Sequence, residues 1–159
     1  MDAIVNQPVI DTERLVLRPL RRSDAGLLDM YGSDERVARM TRSIPHPLPP
    51  GATEGLINRA LADDRNEEVW AMDGSHRGLS ELLGLIALEY MDRDQSEVGY
   101  WVAPAFWNTG LASEAVTALV EANPLNNKTM FASVFQDNPA SARVLTNTGF
   151  EYLGDAEAF

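Results

Sequence analysis

Residues 107–116, WNTGLASEAV, set a glycine, several small residues and a carboxylate where an apolar helical repeat begins. A strand ending at Ala103 and a helix starting near Ala112 would leave several backbone N–H groups of the intervening turn unpaired and converging, which is the chemistry of an anion site. Gly110 lets the backbone approach a bulky group, and Asn108 tolerates a left-handed conformation at little cost. The stretch lacks the Gly-Lys-Ser or Gly-Lys-Thr ending of a P-loop and the GxGxxG fingerprint of dinucleotide sites. Taken alone, Gly110 could equally serve a plain strand-to-helix connection. A second segment, FQDNPASARVLTNTGF, repeats the arrangement: Asn138 can cap a helix whose first position is Pro139, with Ser141 in the first turn. Two consecutive strand–turn–helix units would direct two helix N-termini at one sheet edge, where ligands prefer to bind.

Composition removes most other chemistries. The chain has no cysteine, which excludes disulfides, thiolate metal sites and a cysteine nucleophile. Its two histidines, His46 and His76, lack metal-ligand spacing and stand beside turn residues, so no metal is expected. Thirteen Lys and Arg against 24 Asp and Glu give a net charge of −11, which repels nucleic acid and anionic lipid and attracts a cationic acceptor such as an amine or basic peptide. No apolar run reaches the roughly 20 residues that span a bilayer, and MDAIVNQPVIDTERL shows no secretory signal. The expectation is a cytoplasmic protein with neither nucleic acid nor membrane as partner.

The elements that must position these residues alternate in type. Residues 15–20 alternate apolar and polar as a half-buried strand, and Ser23 with Asp24 offers a cap to a helix running from Ala25 to about Met40. SIPHPLPPG then stops regular structure, and a second helix from Thr53 carries Leu56, Ile57, Ala60 and Leu61 on one side. EVWAMD, LLGLIALEYM and EVGYWVA read as an antiparallel meander joined by the short polar links DGSHRG and DRDQ. After Pro104 follow the turn, the helix SEAVTALVEA, the strand TMFASVF, the helix PASARVLTNT and a final EYLGDAEAF. The 159 residues read as one mixed α/β domain.

Three blocks resemble the GNAT acetyltransferase superfamily and, within it, the RimJ/RimL-like branch of protein N-terminal acetyltransferases: DTERLVLRPLRRSDAGLLDMYGSDERV, EVGYWVAPAFWNTGLASEAV and DNPASARVLTNTGF. The resemblance implies an α/β (α+β) fold with a bent mixed, largely antiparallel sheet flanked by helices, its central strands splayed around acetyl-CoA. The superfamily's Gln/Arg-x-x-Gly-x-Gly/Ala pattern falls on Trp107, Asn108, Thr109, Gly110, Leu111 and Ala112, so the amides of Asn108 to Ala112 should hold the diphosphate. The backbone of Trp101, Val102 and Ala103 should hold the pantetheine arm, Asn138 its other side, and Arg143 could reach the phosphates or lie on a solvated helix face. Trp107 replaces the usual Gln or Arg. Asn108 and Thr109 stand where that branch often has Gly and a basic or amide residue, which leaves the turn short of a phosphate-facing cation. Nine residues follow Gly149 and Phe150, so the domain is expected to stop one strand short, either because the chain is truncated or because a neighbouring molecule, as in a homodimer, completes the sheet.

Acetyl transfer to an amine needs a base, a donor to the thioester oxygen and a proton source for the thiolate. Glu97, on one strand face with Gly99 and Trp101, is the candidate base, the other reading being an exposed strand-end glutamate. The resemblance implies Ser141 as the donor to the thiolate, the other reading being an ordinary first-turn serine, and an amide near Val102 suits the thioester oxygen. Trp70, Trp101 and Trp107 read as packing residues. The expected activity is acetyl-CoA-dependent N-acetylation of a peptide or protein N-terminus by direct transfer in a ternary complex. The alternatives are a small amine such as a polyamine or aminoglycoside, or a CoA-binding module without catalysis.

Overall fold

Successive residues of the middle strands are buried in two separate places, because a strand directs its side chains alternately to opposite faces and here helices cover both. The computed structural model describes residues 7–41, 44–133 and 139–154. Its strands are β1 (Ile10–Asp11), β2 (Val16–Pro19), β3 (Glu67–Asp73), β4 (Gly84–Met91), β5 (Gln95–Val102) and β6 (Thr129–Ala132). They form one sheet in chain order, antiparallel throughout except for the parallel pair β5–β6. The helices are α1 (Ala25–Gly32), α2 (Glu35–Ala38), α3 (Ala52–Leu61), α4 (Leu111–Ala122) and α5 (Pro139–Asn147).

On one face Leu17, Trp70, Met72, Ile86, Leu88, Val98 and Val102 pack with Leu111, Ala115, Val116 and Leu119 of α4. On the other, Val69, Ala71, Leu85 and Trp101 pack with Leu28 of α1, Val37 of α2, and Ile57 and Ala60 of α3. Val69 and Trp70 are chain neighbours and belong to different cores, so moving β3 by one residue would exchange its two apolar sets. A Cβ built at Gly84 would overlap the carbonyl oxygen of Trp101, so β4 and β5 approach at a distance that only glycine permits.

The structure corrects three expectations. The helix drawn from Ala25 to Met40 is broken: Ser33 bonds back to the carbonyl of Asp29, and Asp34 takes an extended conformation and accepts from the Arg36 N–H to start α2. Asp24 does not cap α1, since its carboxylate accepts from the Arg21 N–H and from Arg18. The link DGSHRG is longer than a tight turn, with a 3₁₀ turn at Ser75–Arg77 and the chain packing inward at Leu82 and Leu83 before β4 begins. The link between β4 and β5 is a tight hairpin, with Arg93 and Asp94 both at positive φ.

Candidate active site

Trp107 fastens the end of β5 to the anion turn. Its indole Nε1–H donates to the carbonyl of Val102 at 2.7 Å, and the Thr109 hydroxyl donates to the carbonyl of Phe106 at 2.5 Å. Asn108 at φ 60° and Gly110 at φ 82° place left-handed residues on either side of Thr109, a geometry that gathers successive N–H groups into a concave anion cradle. The N–H groups of Asn108, Thr109, Gly110, Leu111 and Ala112 meet no acceptor among the described residues. They lie at the N-terminus of a 12-residue helix, where the dipole adds about half a positive charge. Asn108, Thr109 and Gly110 are exposed, while Leu111 is buried and anchors the start of α4 in the core.

Beside this turn the sheet opens. β5 and β6 pair from Gln95↔Thr129 to Val98↔Ala132, and no pairing with β6 is described for β5 beyond Val98. The Ala103 N–H donates to Leu83 across to the β4 side at 2.8 Å, and its carbonyl accepts from Phe106. Antiparallel alternation from that bond turns the backbone groups of Trp101 toward β4, and those of Tyr100 and Val102 toward the opening. Ala103 and Trp101 are therefore engaged with the β4 side of the sheet through these groups. The Trp101 side chain packs edge-to-face with Tyr31 at 6.0 Å between ring centres.

The two candidate proton-handling groups sit on different faces of β5. Ser141, in the first turn of α5, is buried, and its backbone carbonyl accepts from the Tyr100 hydroxyl at 3.3 Å. Burial pushes the Tyr100 phenol above its ordinary range, against a small opposing effect of that bond, so it persists as a donor. Glu97 lies on the Gly99 and Trp101 face and accepts from the Ser133 hydroxyl at 3.1 Å. Arg143 is exposed on α5, and Asn138 lies outside the described residues.

Two features escaped the sequence. The first is a row of three glutamates: Glu67 of β3 pairs with Glu89 of β4, which pairs with Glu97 of β5. Burial, Glu89 and Glu97 all raise Glu67, with Arg59 opposing them. Glutamates drawn from three strands become a row only once the register is known. The second is a brace from the other end of the chain. Arg14 donates from Nε to Glu114 Oε1 at 2.8 Å, from its main-chain N–H to Glu114 Oε2 at 2.8 Å, and from Nη1 to the carbonyl of Thr109 at 2.9 Å. Thr12 adds a hydroxyl donor to Glu114. Burial works the other way, yet these bonds hold the Glu114 carboxyl below its ordinary range.

The family model for the acetyltransferase (GNAT) domain matches residues 14–151. A protein named as an uncharacterised N-acetyltransferase, YoaA of Bacillus subtilis (strain 168), is 29% identical over an alignment of 156 residues that covers 92% of this chain and 85% of that one. Among solved structures, RimL, a ribosomal alpha-N-protein acetyltransferase in complex with coenzyme A, superposes with a TM-score of 0.77 at 17% identity, covering 92% of this chain and 86% of that one. Spermidine N-acetyltransferase from Vibrio cholerae, in complex with CoA and spermine, gives 0.75 at 20%, covering 89% and 83%. Among the described residues no helix is long and apolar enough to cross a membrane. With its six-stranded sheet between helices, its anion cradle at the N-terminus of α4 and the family match over most of its length, the chain belongs to the GNAT acetyltransferase family and is a GNAT-type N-acetyltransferase.

Proposed function

We propose that this chain transfers an acetyl group from acetyl-CoA to a primary amine at a peptide or protein N-terminus, by direct transfer in a ternary complex. The observation that carries the proposal is the cradle of unpaired N–H groups at residues 108–112, set beside the gap between β5 and β6. The fold likeness to RimL supports the choice of acceptor and a place in the RimJ/RimL-like branch. Acetyl-CoA supplies an activated acetyl thioester. The chain's own residues do the rest.

The amides of Asn108 to Ala112 hold the diphosphate, and the backbone of β5 beside the gap, from Tyr100 to Ala103, holds the pantetheine arm, with Asn138 on its other side. The Val102 N–H donates to the thioester oxygen, a preorganised contact worth about 2.7–4 kcal/mol when such a donor is removed. Glu97 accepts the proton of the attacking amine, whose reference pKa of about 7.7–8.0 for an α-amino group leaves a usable neutral fraction at pH 7. Ser141, on the other face of β5, donates to the departing thiolate. The base and the thiolate donor thus approach the thioester from opposite faces of the sheet: the amine adds to the carbonyl carbon and the tetrahedral intermediate expels the CoA thiolate. The chain has no cysteine to carry an acyl group in between.

A second acceptor class, small polycationic amines, is favoured by the row Glu67, Glu89 and Glu97, which would offer successive carboxylates to spaced ammonium groups. Thiol release from acetyl-CoA, followed over a panel of N-terminal peptides, spermidine and an aminoglycoside, separates the two. Higher kcat/KM on peptides supports the first reading, and higher kcat/KM on spermidine supports the second. CoA binding without thiol release on any acceptor contradicts catalysis.

A further inference from the structure

The turn WNTG carries no Lys or Arg, yet a guanidinium stands against it. Arg14 follows β1, 95 residues before Thr109, whose carbonyl it binds. Its Nη2 lies 3.3 Å from the point a Gly110 Cβ would occupy. The Arg14 side chain is 38% exposed and Glu114 17%, so the pair lies at the rim of the cradle rather than in the core.

Three consequences follow from these contacts. A turn that grips an anion must keep its own carbonyls aimed elsewhere, and the bond from Nη1 holds the Thr109 carbonyl. A carboxylate in the first turn of α4 suits the helix dipole but repels a diphosphate bound there, and the Arg14 guanidinium neutralises Glu114 through the Nε ion pair, with the Arg14 main-chain N–H a further donor. The pair as a whole is neutral but presents its positive end to the turn, because Arg14 Nη2 and no atom of the Glu114 side chain lies within 4 Å of that Gly110 point. We propose that Arg14 is a positioning residue for the diphosphate turn, supplying from the opposite end of the chain the cation that the turn itself lacks. This rests on the reading of residues 108–112 as the diphosphate site.

The test compares CoA, 3′-dephospho-CoA and acetyl-pantetheine, the last of which lacks the diphosphate. Titration calorimetry on Arg14→Gln should show CoA and 3′-dephospho-CoA weakened alike, by about tenfold, with a shallower salt dependence. Thiol release from acetyl-pantetheine should be unchanged. The double variant Arg14→Gln with Glu114→Gln should recover part of the CoA affinity, because the uncancelled carboxylate has gone. If Arg14→Gln does not fold, Arg14→Lys carries the test: it keeps the charge but not the fork, and CoA should weaken about threefold with acetyl-pantetheine unaffected.

CoA affinity equal to wild type in the variant overturns the proposal. So does an equal loss on CoA and acetyl-pantetheine with a lowered melting temperature, which would make Arg14 a fold brace only. Wild type that fails to bind CoA refutes the diphosphate reading and this proposal together. Wild type that binds, beside an unaffected variant, refutes this proposal alone.

Discussion

The two ends of β3 handle buried charge in opposite ways on the same face of the sheet. At the C-terminal end Asp73 joins Asp24 around Arg18, whose five guanidinium N–H groups are all used: Nε to Asp73, two to Asp24, and one each to the carbonyls of Pro19 and Glu81. At the N-terminal end Glu67 stands beside Glu89 and Glu97, with Arg59 the cation that offsets its raised carboxyl. The first cluster is closed and satisfied, and it ties β2, β3, the turn before α1 and the link to β4 into one unit. The second is open and carries like charges across neighbouring strands, an arrangement that costs stability. The row lies level with the last paired residues of β5 and β6, at the closed inner end of the gap, and its surplus of carboxylates is what a cationic acceptor would compensate.

Variants should separate the two ends. Arg18→Met leaves two buried carboxylates without their cation, and urea unfolding should show a loss of about 3–5 kcal/mol. Glu97→Gln should leave the urea midpoint unchanged or raised while turnover falls about 100-fold or more, as loss of a general base requires. An equal fall in stability at Glu97 would erase the distinction between the ends.

The pH dependences should carry opposite signs. Although burial opposes it, hydrogen bonds from Ser75 and Arg18 hold the Asp73 carboxyl below its ordinary range. Its contribution is therefore present above the unfolded value of about 3.9 and is lost as pH falls through the lower folded value. Glu67 is raised, so its contribution is present below about 4.3 and is lost as pH rises through the folded value. Thermal melts of Asp73→Asn against wild type should converge as acid is added. Those of Glu67→Gln should converge toward pH 4 and diverge at neutral pH with the variant more stable, by about 0.2–1 kcal/mol for each relieved pair. Wild-type stability at neutral pH above that of Glu67→Gln would mean that the row is paired after all.

How much of this was legible depended on how far apart the cooperating residues lie in sequence. Strands β3, β4 and β5 announced themselves by alternation, and the turn by a glycine among small residues before a helical repeat, because both signals fall within a few neighbouring residues. The break between α1 and α2 was hidden because Leu28 and Val37 both face the same core, so the apolar spacing continues across an interruption made by Ser33 and Asp34. The glutamate row needed the register of three strands. Arg14 needed the packing of β1 against α4, which closes a loop of 100 residues onto Glu114. The acetyl-group chemistry was read from motif resemblance, and no single residue type would have given it.

Backbone amide NMR during titration with CoA tests the central claim most directly. The N–H resonances of Asn108, Thr109, Gly110, Leu111 and Ala112 should shift together and saturate with those of Tyr100 and Val102, while those of Trp101 and Ala103, engaged within the sheet, move less. Saturable shifts confined to another surface, with residues 108–112 unmoved, would contradict it.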